Sequence, residues 1–196
     1  MLGAEEEELA LRISDAINEG IAGNCDRAVE MLEQLLAEME ADGPREDLGA
    51  LHVRHQLVVM YGWAERFESA VELAERNLKG FSSLLGPEDQ ETFQAQTDLA
   101  YAYTGVDRDD EAVTVMRDTL GGYRALFGVD YPDTLACQGD LAKFLWWAGH
   151  RDESIALYEQ TLAACERALG PDDAITQEVA AGLEEVREDV SGDDAG

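Results

Sequence analysis

Apolar residues recur along this chain at the spacing of a helix face. Phe93, Leu99, Ala100 and Tyr103 form one such set, and Ala112, Val113, Met116, Leu120 and Leu126 the next, with a period near 3.6 rather than the 2 of a strand. The pattern itself repeats. A shift of 42 residues aligns Leu57, Leu99, Leu141 and Leu183 in one column and Ala28, Ala70, Ala112 and Ser154 in another. Between the columns lie short polar turns: Glu65-Arg66-Phe67-Glu68, Asp107-Arg108-Asp109-Asp110 and Gly149-His150-Arg151-Asp152. Each repeat is therefore predicted to be two antiparallel amphipathic helices, burying its apolar face only by stacking on a neighbour. Small side chains in the alanine column let second helices approach closely, and the leucine column fills the space between them.

Gly86, Gly128 and Gly170 share the same spacing and sit where each second helix should stop. Glycine accepts a left-handed terminal conformation, and the Pro87 or Pro171 that follows cannot continue the helix. Glu88, Asp130 and Asp172 then stand as expected N-cap carboxylates for the next first helix. Gly43-Pro44 extends the pattern upstream with a one-residue irregularity, and Leu9, Ile13, Ala16, Ile17 and Ile21 mark an atypical first helix. Helix pairs are expected at about 5–40, 47–84, 89–126 and 131–168, with a closing helix at about 173–189. Residues 1–190 read as a single all-α repeat domain, and residues 191–196 as a disordered tail.

Composition narrows the setting. The formal charge is −29 and the lysines are Lys79 and Lys143 alone, so the field repels nucleic acid and anionic lipid and attracts cationic partners. No apolar run approaches the roughly 18 residues of a membrane span. The acidic start Glu5-Glu6-Glu7-Glu8 has no secretory character, which makes the cytoplasm the expected compartment. Cys25, Cys137 and Cys165 form no metal or disulfide pattern. Cys137 and Cys165 are expected at the same end of one repeat, as small buried fillers.

With these residues in view, the chain resembles the tetratricopeptide repeat family, in its longer kinesin-light-chain-like variety. The resemblance rests on the glycine motif with Asp133-Thr134-Leu135, on Leu99-Ala100-Tyr101-Ala102-Tyr103, on Leu141-Ala142 and on the alanine column, over about residues 24–185. It implies a right-handed superhelical solenoid of antiparallel helix pairs whose first helices line a concave groove for a partner peptide or helix. Kinesin light chains carry paired asparagines before the first-helix leucine; here His55-Gln56, Thr97-Asp98 and Gly139-Asp140 stand instead. Recognition of acidic cargo peptides is therefore not expected, nor a chaperone-tail clamp, which needs more basic residues on this face.

In that register His52, His55, Val59, Gln94, Thr97, Tyr101, Ala136, Gly139, Lys143 and Trp146 project toward the groove. Aromatic and mixed polar side chains of this kind suit a peptide, giving contact area with few rotors and polar groups to set register. Trp63 and Trp147 are expected instead to be core filler beneath the helix–helix turn. His52 and His55 could offer two metal ligands, but no third stands at a suitable spacing, so no metal and no cofactor are expected. There is no phosphate-cradling loop, nucleophile elbow or HExxH, and no catalytic residue is assigned. The expected function is a non-catalytic interaction module binding a protein or peptide segment, basic or amphipathic in character. A sensor protein holding a small molecule or signalling peptide in the same groove is the second class. Self-association through the loosely covered stripe Leu9, Ile13, Ile17 and Ile21 is compatible with either.

Overall fold

The computed structural model describes residues 4–41, 43 and 47–193. Among them the chain is all-α, with α1 (Ala4–Ile21), α2 (Cys25–Met39), α3 (Leu48–Trp63), α4 (Phe67–Leu84), α5 (Gln90–Thr104), α6 (Asp109–Phe127), α7 (Pro132–Trp147), α8 (Arg151–Ala168) and α9 (Ala174–Asp193). Short connections join them in chain order, with α9 as the closing helix. Met1-Leu2-Gly3, Pro44 and residues 194–196 of the expected tail lie outside the described residues, while α9 runs on through Asp193. No described helix is long and apolar enough to cross a membrane.

The chain divides into two compact units, Met1–Asp107 with α1 to α5 and Arg108–Gly196 with α6 to α9. In unit 1 each helix packs on the next, and the first helices α1, α3 and α5 also lie side by side. Ala16, Ala28, Val29, Leu32, Val53, Leu57 and Met60 form its main apolar cluster, and Leu51, Phe81 and Ala95 a second. In unit 2, α7 packs on α6, α8 and α9, around Leu135, Ala142, Tyr158, Cys165, Val179 and Leu183. The alanine column is buried throughout. Ser154, its one hydroxyl member, donates to the Ala142 carbonyl at 2.7 Å, so burial leaves no polar group stranded.

Gly86, Gly128 and Gly170 all have positive φ, at 102°, 92° and 93°, as the helix stops require. The caps that follow differ from expectation by one residue. Asp89 and Asp173, not Glu88 and Asp172, accept the backbone N–H groups of Glu91 and Ile175, each at 2.9 Å. At the third connection α7 opens with Pro132 directly after Tyr131, and Asp130 is no cap. Proline suits the first helical position, where its missing N–H would have been unsatisfied in any case and its fixed φ is already helical.

The first helix is better covered than its sequence suggests. Leu9 and Ile13 pack against the main cluster of unit 1 and Ile17 is half-buried, leaving Ile21, at 69% exposure, as the open member of the stripe.

Candidate functional site

A cavity of unit 1 with largely apolar walls lies between α3 and α5, with a volume of about 660 Å³. From α3 come His55, Val59, Gly62 and Trp63; α5 supplies Gln94, Asp98, Tyr101 and Ala102, and Phe67 opens α4 at one end. Trp63 is 51% exposed and Tyr101 39%, so two large ring surfaces face water at the cavity rather than filling the core. The expectation for Trp63 as core filler fails: it is the last residue of α3, and although its ring edge lies near Gly20 of α1, about half of it stays open to water.

At the polar end, His55 Nδ1 donates to Asp98 Oδ2, and Gln94 Nε2 donates to Asp98 Oδ1 at 3.3 Å. Asp98 is 7% exposed, so its charge is held by these two donors rather than by water. Burial disfavours the charged His55 ring, but the hydrogen bond and charge of Asp98, with the charge of Glu91, outweigh it and raise its pKa above the ordinary 6.5. The folded pKa then exceeds the unfolded one. The stability this pair contributes is full below pH 6.5 and is lost as pH rises through the raised folded value. Thermal melting of the protein should therefore show a decline across that window that Asp98→Asn removes; an unchanged profile in that variant would assign the decline to other groups.

The other residues predicted for this face are placed less centrally. His52 lies outside the cavity, with its Nε2 3.4 Å from Glu91 Oε2, so the two histidines engage different carboxylates and do not converge on a common ligand point. Thr97 is half-buried and donates to the Phe93 carbonyl of its own helix at 3.2 Å.

Unit 2 has a cavity of about 430 Å³ between α7 and α9. Ala136, Gly139, Lys143, Trp146 and Trp147 line it from α7, while Glu178, Val179, Gly182, Glu185 and Val186 line it from α9. Gly139 is buried rather than an open groove position, since a Cβ there would lie 3.0 Å from Val179. Its role is to let α9 approach. Lys143 Nζ sits 3.4 Å from Asp140 and 5.9 Å from the Trp147 ring centre, and the Arg151 guanidinium lies 5.3 Å from that of Trp146. Trp147, like Trp63, departs from the core-filler expectation and is 45% exposed, whereas Trp146 is half-buried.

The two cavities occupy the same position in the repeat. Adding 84, two repeat lengths, carries His55, Val59, Gly62 and Trp63 onto Gly139, Lys143, Trp146 and Trp147, and Gln94, Asp98, Tyr101 and Ala102 onto Glu178, Gly182, Glu185 and Val186. α9 thus acts as the first helix of a further repeat. Comparing Trp63 with Trp147 in sequence, and extending the register into α9, would have pointed to Trp63, Asp98, Glu178 and Glu185, which sequence reasoning did not single out.

Elsewhere the thiols are quiet. Cys137 and Cys165 are free and buried, and burial pushes Cys137 up to about 12 and raises Cys165.

A family model described as tetratricopeptide repeat matches residues 51–91, 92–133 and 134–174. The chain belongs to the tetratricopeptide repeat family. Tetratricopeptide repeats are in general protein-interaction modules without catalytic activity. A search of curated proteins returns no significant match. Among solved structures, the chain is similar to the nearly identical TPR-like repeats of a kinesin light chain-like protein from Podosopora anserina. The two are 25% identical, with 92% of this chain and 86% of that one covered and a TM-score of 0.78. BtubC (BKLC) from P. vanneervenii has 14% identity, 100% and 94% coverage and a TM-score of 0.66. Rap protein, solved in complex with Competence and Sporulation Factor, has 13% identity and a TM-score of 0.72, over 96% of this tetratricopeptide chain and 50% of that one.

Proposed function

We propose that this protein is a non-catalytic interaction module whose first-helix cavities hold a segment of a partner protein. The observation that carries this reading is the recurrence of a cavity at one repeat position in both units, each with an exposed tryptophan on its wall. A tryptophan held on a helix offers a large rigid contact surface at little entropic cost, and such rings beside a concavity are typical anchor points. In unit 1 the walls are largely apolar and glycine-lined, which suits an aliphatic or aromatic anchor side chain, while the His55–Asp98 pair supplies polar contacts at one end. Rap, similar in fold, was solved with a bound factor, which supports this use of the architecture.

Selection of random twelve-residue peptides on the immobilised protein tests it. Selected peptides should bind Trp63→Ala/Tyr101→Ala about tenfold or more weakly, as expected when anchor contacts are removed. Gly62→Leu should do the same by filling the cavity, because a Cβ at Gly62 meets no atom within 4 Å and the fold should tolerate it. Peptides that bind both variants as tightly as the parent would sink the unit 1 site.

A further inference from the structure

The same repeat position carries different chemistry in unit 2, and, resting on the reading above, this names the class of ligand there. Where unit 1 has Gln94 and Tyr101, unit 2 has Glu178 and Glu185. Both glutamates are exposed and neither makes a side-chain hydrogen bond or ion pair among the described residues. Between them the cavity floor is apolar, with Val179 and Val186 at 3% and 4% exposure, and Trp146 stands on the α7 side. The cation of the lining, Lys143, is engaged by Asp140. The Arg151 guanidinium lies over the Trp146 ring on the α7 side, so the charge that α9 leaves to act on an incoming group is that of two carboxylates over an apolar floor.

We propose that this cavity holds a pair of basic side chains, arginine or lysine, from an extended partner segment. Such side chains have the two-part chemistry that the walls offer. Their methylene stems lie along the apolar floor beside Trp146, and their charged heads reach the carboxylates at the rim. Spacing selects the pair. Residues seven apart on a helix are separated by about 10.5 Å along its axis. In a polyproline-type extended segment, residues three apart share a face and are separated by about 9 Å. Basic residues at i and i+3 thus match Glu178 and Glu185. An acidic segment would place like charges against unpartnered carboxylates, and the net charge of −29 favours the approach of a cationic one.

The tetrapeptide acetyl-Arg-Ala-Ala-Arg-amide and its double citrulline analogue, which keeps the shape and loses the charge, are the probes. Calorimetric titration at about 0.15 M ionic strength, where the Debye length is about 8 Å, should give binding of the arginine peptide that weakens about five- to tenfold in Glu178→Gln/Glu185→Gln, the range of two exposed ion pairs. Glu184→Gln/Glu188→Gln removes the same charge from exposed positions of α9 outside the cavity and should change affinity less than about twofold, as screened distant charges do. Equal weakening in the two double variants would reduce the effect to bulk charge and overturn the site, as would equal binding of the citrulline peptide or no binding of the arginine one. No unit 1 residue enters this measurement, so its failure is distinct from a failure of the Trp63 and Tyr101 test.

Discussion

Arg54→Ala is expected to lower the stability of unit 1 by about 3 kcal/mol, the lower end for removing one member of a buried ion pair. Arg54 is 0% exposed on α3, and its Nη2 donates to Glu40 Oε1, which Arg76 also reaches at 3.1 Å. Truncation therefore removes a large buried side chain and half of the charge compensation of Glu40. Arg76 remains, which keeps the loss from being larger. Arg54→Met retains most of the volume without the charge and should recover more than half of the loss, because a well-packed apolar replacement avoids the cavity and the desolvated guanidinium together. Urea unfolding of the parent and both variants measures this. A loss below about 1 kcal/mol in Arg54→Ala would mean that the site collapses or hydrates on truncation.

Gly105→Trp should be the most disruptive change at the cavity of unit 1, although it introduces the residue that the repeat holds 42 positions to either side. Trp63 and Trp147 stand at the equivalent places. At Gly105 a Cβ alone would lie 2.2 Å from Phe67 Cδ1 and 2.6 Å from its Cγ, so the ring of Phe67 occupies the space a side chain needs. Overpacking of this kind costs about 1–3 kcal/mol for a few atoms, and a tryptophan should reach or exceed the upper figure. Phe67 lines the cavity, so its displacement should also weaken binding of peptides selected on that site. Chemical denaturation of Gly105→Trp, Phe67→Ala and the double variant tests the cause. The double variant should be less destabilised than the two single losses combined, whereas simple additivity would assign the damage to a contact other than Phe67.

Glycine 105 shows why a repeat register carries architecture farther than it carries a site. The leucine and alanine columns are legible because every repeat faces the same packing problem and solves it with the same side-chain size. The helix stops at Gly86, Gly128 and Gly170 are legible for a similar reason, since backbone conformation at a terminus is a local matter. Two of the caps slipped by one residue because acidic residues stand side by side at Glu88-Asp89 and Asp172-Asp173, and the helix start selects between them. At the positions expected to face the groove, the repeats diverge in their individual contacts: His55 is tied to Asp98, Thr97 to its own backbone, and Gly139 to the close approach of Val179. Projection on a helix face finds all three equally outward. Only the neighbouring helix decides which of them reaches open space.

The same limit explains the two tryptophans. Hydrophobicity assigns Trp63 and Trp147 to a core, and no sequence rule says how much of a ring at the end of a helix its neighbours cover. It also hid Arg54, a charged residue on an otherwise apolar face, whose burial depends on Glu40 at the C-terminal cap of α2 and so on contact across helices. The sequence by itself determined the helical period, the 42-residue repeat, the pairing of helices and the family, all of which follow from local periodicity and recurring small and large side chains. Tertiary structure alone decided which first-helix residues face a cavity, that the closing helix α9 supplies a carboxylate wall, and that the rings at its repeat position are exposed. Those are properties of distance between helices, which a linear pattern does not contain.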